Sequence, residues 1–183
     1  SGNQRSEYIA EYLNGERHYF EDRFWSDGMA RVSGSDFSGL MRSPCYQRGT
    51  ISCLSCHQMH HDESNEVSQS EWANDQLKDQ AHGREGCLQC HEQYRDQDKL
   101  VAHTHHKASS TGSDCYNCHM PHTTYGLLKA IRSHQISSPD TAATVKHGRP
   151  NACNLCHLDK TLAWTADKLE AWYGIEQPPL SSD

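Results

Sequence analysis

Apolar residues in this chain are sparse, and only two stretches arrange them with a helical period. In "TLAWTADKLEAWYG", residues 161–174, Leu162, Ala166, Leu169 and Trp172 or Tyr173 share one face. Gly174 follows, with Pro178 and Pro179 beyond it, which predicts a helix stopping near Tyr173 and an extended tail, "IEQPPLSSD". In "SEWANDQLKDQAH", residues 70–82, Trp72 and Leu77 are the apolar positions and Ser70 is the expected N-cap. "RHYFEDRFWSDGMARVSG", residues 17–34, with its aromatic residues and Gly-containing turns, predicts a short hairpin or irregular cap in which Phe24 and Trp25 pack locally. The longest apolar run, "YGLLKAI", falls far short of the about 18 residues that a membrane span needs. The expected fold class is therefore mainly α with much irregular coil and few or no strands.

Only 34% of the 183 residues are hydrophobic and three are Phe, too little for an ordinary oily core in a chain of this size. What is abundant instead is ligand chemistry, with nine cysteines and 14 histidines. Eight of the cysteines fall in one design, C-x-x-C-H: Cys53, Cys56 and His57; Cys87, Cys90 and His91; Cys115, Cys118 and His119; Cys153, Cys156 and His157. Chance would give about 0.03 such motifs in a chain of this composition, so the four are selected features.

C-x-x-C-H attaches a c-type haem: two thiols add to the porphyrin vinyl groups, and the next residue is placed under the iron as its proximal ligand. Tetrathiolate zinc sites and dithiol redox centres also use C-x-x-C, but neither requires histidine directly after every pair. The expectation is four covalent haem c groups that supply the missing apolar core. Residues 1–183 then form a single unit, with 1–50 as a haem-free N-terminal cap and 51–183 carrying four attachment segments and the C-terminal helix. First cysteines recur at intervals of 34, 28 and 38 residues, a loose repeat.

The other side of each iron decides function, because a bis-histidine haem is closed and moves electrons, whereas an open one transforms small molecules. His60 and His122 each lie three residues after a proximal histidine, too near to circle their own ring but able to reach a neighbouring one. With His134 in "RSHQISSP" and His105 or His106 in "HTHH", they form the candidate distal set. His61, His82, His103 and His147 rank behind them. His18, far upstream, is a candidate for serving a haem of a neighbouring subunit, and Met29 and Met41 are remote alternatives. Cys45, the ninth cysteine, reads as a small buried apolar residue before it reads as a reactive thiol.

The formal charge is −7, and four ferric haems with ionised propionates would carry it to about −11, which disfavours nucleic acid as a partner. Basic redox proteins or oxidised extracellular acceptors suit that charge better. Covalent haem attachment takes place outside the cytoplasm, so the expected location is periplasmic or extracellular. "SGNQRSEY" is no signal peptide, and an export signal would lie outside this sequence.

From Ser113 onward, "SDCYNCHMPHTTYGLLKAIRSHQISSPDTAATVKHGRPNACNLCH" resembles the module of cytochrome c nitrite reductases and their multihaem relatives, in which C-x-x-C-H-M-P precedes a histidine ahead of a Ser-Pro-like turn and a further C-x-x-C-H. The resemblance covers about 45 residues. It implies that His134 is a distal ligand to another haem, and "HTHH" sits where relatives place a histidine ahead of the C-H-M-P site. The chain as a whole resembles multihaem cytochromes, including tetrahaem carriers and the tetrahaem subunits of extracellular filaments. It departs from the enzymes in lacking C-x-x-C-K and any identifiable distal Arg, Tyr and His set. The expected role is therefore electron transfer rather than catalysis, with head-to-tail self-association into a filament ahead of a soluble periplasmic carrier. A C-terminal part of a longer nitrite- or hydroxylamine-type oxidoreductase is the remaining alternative.

Overall fold

The computed structural model describes residues 22–61 and 68–180. His18 and the last residues of the tail lie outside them. Within them the protein is built from short helices joined by turns and coil, with one two-stranded sheet. The mainly α fold with much irregular coil and few strands is what the sparse apolar pattern anticipates.

Helix Leu162–Tyr173 forms where the 3.6-residue period is clearest. Thr161 caps its start by accepting from the Trp164 N–H, and Gly174, at φ 66°, ends it. Thr165, Ala166 and Leu169 are buried on one face. The second expected helix is shorter than its pattern suggests and runs Gln69–Asp75. Its cap is Ser68 rather than Ser70, because S-x-x-E sets up a reciprocal box: the Glu71 N–H donates to Ser68 Oγ at 3.3 Å, and the Ser68 N–H donates to Glu71 Oε2 at 3.0 Å. Gln76 turns left-handed, at φ 55°, and Leu77 leaves the helix to bridge backbone with His57.

The strands Thr124–Gly126 and Lys129–Ile131 pair antiparallel, in the register Thr124↔Ile131. The turn between them holds Leu127 and Leu128 at φ 51° and 62°. Residues 22–33 fold back against this hairpin. Phe24 bridges Ala30, Val32 bridges Tyr125 in parallel, and Trp25 Nε1–H donates to Thr123 O at 3.1 Å. The N-terminal segment is thus tied to residues nearly 100 positions away, and Trp25, expected to pack locally, lies under the Arg31 guanidinium at 5.0 Å but also makes this long-range bond.

The buried interior is small and unusually polar. Buried apolar side chains are Met29, Leu40, Leu88, Leu100, Leu169 and a few alanines, while Ser43, Thr123, Thr124, Ser133, Thr141 and Thr165 are as fully enclosed. Their hydroxyls are paired, as burial requires: Thr124 Oγ1 donates to Ala30 O at 2.9 Å and Thr165 Oγ1 to Asn154 Oδ1 at 2.9 Å. Asp27 and Arg149 form an ion pair at 3.0 Å beneath the N-terminal segment. No helix among the described residues is long and apolar enough to cross a membrane.

Candidate functional site

Each C-x-x-C-H motif folds as one helical turn. The histidine N–H donates to the carbonyl of the first cysteine, at 2.8 Å for His57 and Cys53, 3.0 Å for His91 and Cys87, and 2.9 Å for His157 and Cys153. The third motif is itself the helix Cys115–His119. A turn of this kind puts the two thiols, three residues apart, on one face, and swings the histidine to the adjacent position. None of the nine cysteines is in a disulfide.

The motifs neighbour one another in chain order. Burial raises the free Cys56 thiol, and nearby Cys90 adds to the shift. Cys87 and Cys115 stand side by side; the hydrogen bond from Cys87 holds the Cys115 thiol down to about 7 while Cys87 is pushed up. Burial pushes Cys118 up to about 11, with Cys153 and then Cys156 contributing. Among the described residues no three His, Cys, Asp or Glu side chains gather as a cluster that could hold a bare metal ion.

Three of the motif imidazoles each face a second imidazole. The ring centres lie 6.1 Å apart for His57 and His134, 6.0 Å for His103 and His119, and 5.9 Å for His106 and His157. The first and last pairs are tilted, at 31° and 36°, and the middle pair is within 5° of parallel. Two imidazoles that ligate one metal from opposite sides, with bonds of about 2.0 Å and about 1.1 Å more to each ring centre, stand about 6 Å apart.

The nitrogens agree with that spacing. His57 Nδ1–H donates to Asp75 O at 3.0 Å, a carbonyl left free where helix Gln69–Asp75 stops. His119 Nδ1–H donates to Ser137 O at 3.1 Å, and His106 Nδ1–H to Thr104 O at 2.6 Å. His134 Nδ1 lies 3.2 Å from Asp36 Oδ1. With Nδ1 occupied, the other ring nitrogen, Nε2, is the one left to bind a metal.

The "HTHH" stretch serves two motifs because its helix ends inside it. Helix Gln97–Thr104 carries His103 toward His119; His105 then takes φ 55°, and the chain turns so that His106 meets His157. A Cβ on Gly112 would collide with the His106 ring, so glycine makes that placement possible. Burial, with the nearby imidazoles of His119, His105 and His91, lowers the His103 pKa; burial likewise lowers that of His119.

Of the candidate distal residues, His134 and His106 face motif imidazoles. His103, ranked lower from the sequence, does so as well, and its selection depends on the helix ending at Thr104 and on the left-handed His105. His105 instead stacks on Trp172 at 4.1 Å and 9°. His122 is exposed and its Nδ1–H donates to Ala130 O at 3.3 Å. His60 is exposed at an open hollow of about 670 Å³ beside His57, which His61, Leu54, Met59 and Lys78 also line. His61 meets the edge of Trp72 at 5.6 Å, and His147 Nδ1 lies 2.7 Å from Ser26 Oγ. His82 is exposed beyond the 3-10 turn Asp79–Ala81. Among the described residues no ring faces His91, the one exposed motif histidine. Met29 is buried, its sulfur accepting from Thr123 Oγ1 at 3.5 Å, and Cys45 is half-buried.

Comparison with known proteins brings no match: no family model, no curated protein and no solved structure aligns significantly with the chain.

Proposed function

We propose that this chain is a tetrahaem c-type cytochrome whose function is electron transfer. One observation carries the reading: three of the four C-x-x-C-H histidines face a second imidazole across about 6 Å, with Nδ1 hydrogen-bonded to a backbone carbonyl at His57, His119 and His106. Haem supplies the one-electron chemistry when bound. The chain's own residues do the rest. Cys53 and Cys56, Cys87 and Cys90, Cys115 and Cys118, and Cys153 and Cys156 hold the four groups; His57, His91, His119 and His157 are the proximal ligands. His134, His103 and His106 close the first, third and fourth sites. The contact of Cys87 with Cys115, and the electrostatic influence of Cys90 on Cys56 and of Cys153 on Cys118, support a row in chain order, 1-2-3-4.

The acidic charge and the motif chemistry support a periplasmic or extracellular carrier, with redox proteins or extracellular acceptors as partners. Head-to-tail self-association would continue the row from one copy to the next, and a filament subunit is the form of this reading we favour. The test is an optical and EPR spectrum of the oxidised holoprotein with a haem count by intact mass. Four haems, all or nearly all low-spin, are expected. Fewer than four, or none, would refute the reading. Negative-stain imaging then separates filament from carrier, since monodisperse single particles would rule out the filament.

A second reading has one observation in its favour, the exposed His91 with no described ring opposite. An oxidoreductase acting on nitrite or hydroxylamine would need one such open site. A high-spin component that shifts on adding either compound would favour it.

A further inference from the structure

The partners of Nδ1 differ among the histidines that face one another. His57, His119 and His106 donate to neutral backbone carbonyls. His134 alone meets a carboxylate: its buried Nδ1, which has no hydrogen-bond partner, lies 3.2 Å from Asp36 Oδ1 in an ion-pair contact.

This contact is built by the fold. Asp36 opens helix Asp36–Arg42, which lies so close to the His134–Gln135 backbone that a Cβ on Gly39 would sit 2.9 Å from Gln135 N. Ser43, fully buried at the end of the same helix, clamps the two segments: its Oγ donates to His134 O at 3.2 Å and accepts from the Ile136 N–H at 2.8 Å. Residues nearly a hundred positions apart are thus locked in the register that sets Asp36 against the His134 ring.

We infer that Asp36 sets the potential of the first haem site, making it the most reducing of the three sites closed by facing imidazoles. The inference rests on the reading above. A ligating imidazole whose Nδ1 faces a carboxylate at close range is polarised toward imidazolate and becomes a stronger donor. Oxidation removes one electron and leaves one more positive charge, which both the electron-rich ring and the nearby carboxylate stabilise. The ferric form is therefore favoured and the midpoint falls. Backbone carbonyls, being neutral, exert a weaker pull at the other sites. Asp36 is a positioning residue, acting through His134.

The test is a spectroelectrochemical titration of the full-length holoprotein carrying Asp36→Asn, Asp36→Glu or, as a charge control, Asp98→Asn on an exposed helix face. Asparagine keeps an acceptor oxygen and removes the charge. One of the four midpoints should rise by at least about 59 mV, a tenfold change in the oxidised-to-reduced ratio for a one-electron couple. The g-values of one low-spin EPR signal should shift with it. Asp36→Glu should restore both, and Asp98→Asn should move neither. Unchanged midpoints in an Asp36→Asn protein that retains four haems would overturn this inference and leave the electron-transfer reading standing, and an equal shift in Asp98→Asn would overturn it too. A wild-type protein that takes up no haem at Cys53 and Cys56 would overturn both.

Discussion

The imidazoles of His103 and His119 lie 6.0 Å apart, centre to centre, and within 5° of parallel. Tyr94 lies against the outer face of this pair, its ring 4.6 Å from that of His103, and Tyr173 Oη donates to His103 O. These contacts fix the His103 ring opposite that of His119, as the proposed axial role requires.

Replacing it should therefore open one site. In His103→Ala, one of four haems is expected to change from low-spin to high-spin, read by EPR and by the loss of its share of the low-spin optical band. His105→Ala should leave all four low-spin, because that ring stacks on Trp172. The reverse result would reassign the ligand within "HTHH".

Stability should fall on acidification. The fold lowers the pKa of His103 and His119 below the usual 6.5, chiefly by burial, so the unfolded chain binds more protons as pH falls through that value. Stability from these groups is present above about pH 6.5 and is lost as pH falls toward their folded values. In the haem-free chain, where neither ring is ligated, Tm measured from pH 8 to pH 4.5 should hold nearly constant and then drop. His103→Gln should blunt the drop.

Leu127 and Leu128 are 89% and 109% exposed and both sit in the left-handed region, at φ 51° and 62°. A two-residue turn of this shape suits Asn-Gly. Leu127→Asn with Leu128→Gly should stabilise the protein by about 1–2 kcal/mol, since a non-glycine left-handed residue costs about that much. Denaturant unfolding would show it as a higher midpoint with unchanged slope.

The Asp27–Arg149 pair ties the N-terminal segment to the far end of the chain with only 16% and 10% of its side chains exposed. Arg149 Nη1 also lies 3.8 Å from Met29 Sδ. Removing one partner strands a largely buried charge, so Asp27→Asn should cost about 3 kcal/mol. Exchange of the Ala30 and Val32 amides, measured by mass spectrometry, should speed up in step.

Much of the fold was legible locally. Thr161 and Gly174 bracket helix Leu162–Tyr173 where the apolar period and the glycine say they should. Helix Gln69–Asp75 was legible in kind but not in extent: capping by Ser68 and a left-handed Gln76 moved both ends, and neither leaves a mark in apolar spacing. The candidate site divides in the same way. His134 and His106 stood among the expected distal residues and face motif imidazoles, but no spacing rule says that His103 rather than His105 meets His119. That choice depends on a helix ending at Thr104 and on a single left-handed residue.

What the sequence by itself determined is the chemistry that one helical turn can hold. Four C-x-x-C-H units name their thiols and their histidine because those groups lie within five residues of one another, and local hydrogen bonds suffice to place them. Only the tertiary structure decided which histidines stand across from them. His134 reaches His57 from 77 positions away, held by Ser43 and faced by Asp36, and His106 reaches His157 because Gly112 leaves room for its ring. Such partners are selected by the packing of distant segments, whose closure carries no local signature, so they become visible only when the chain is folded.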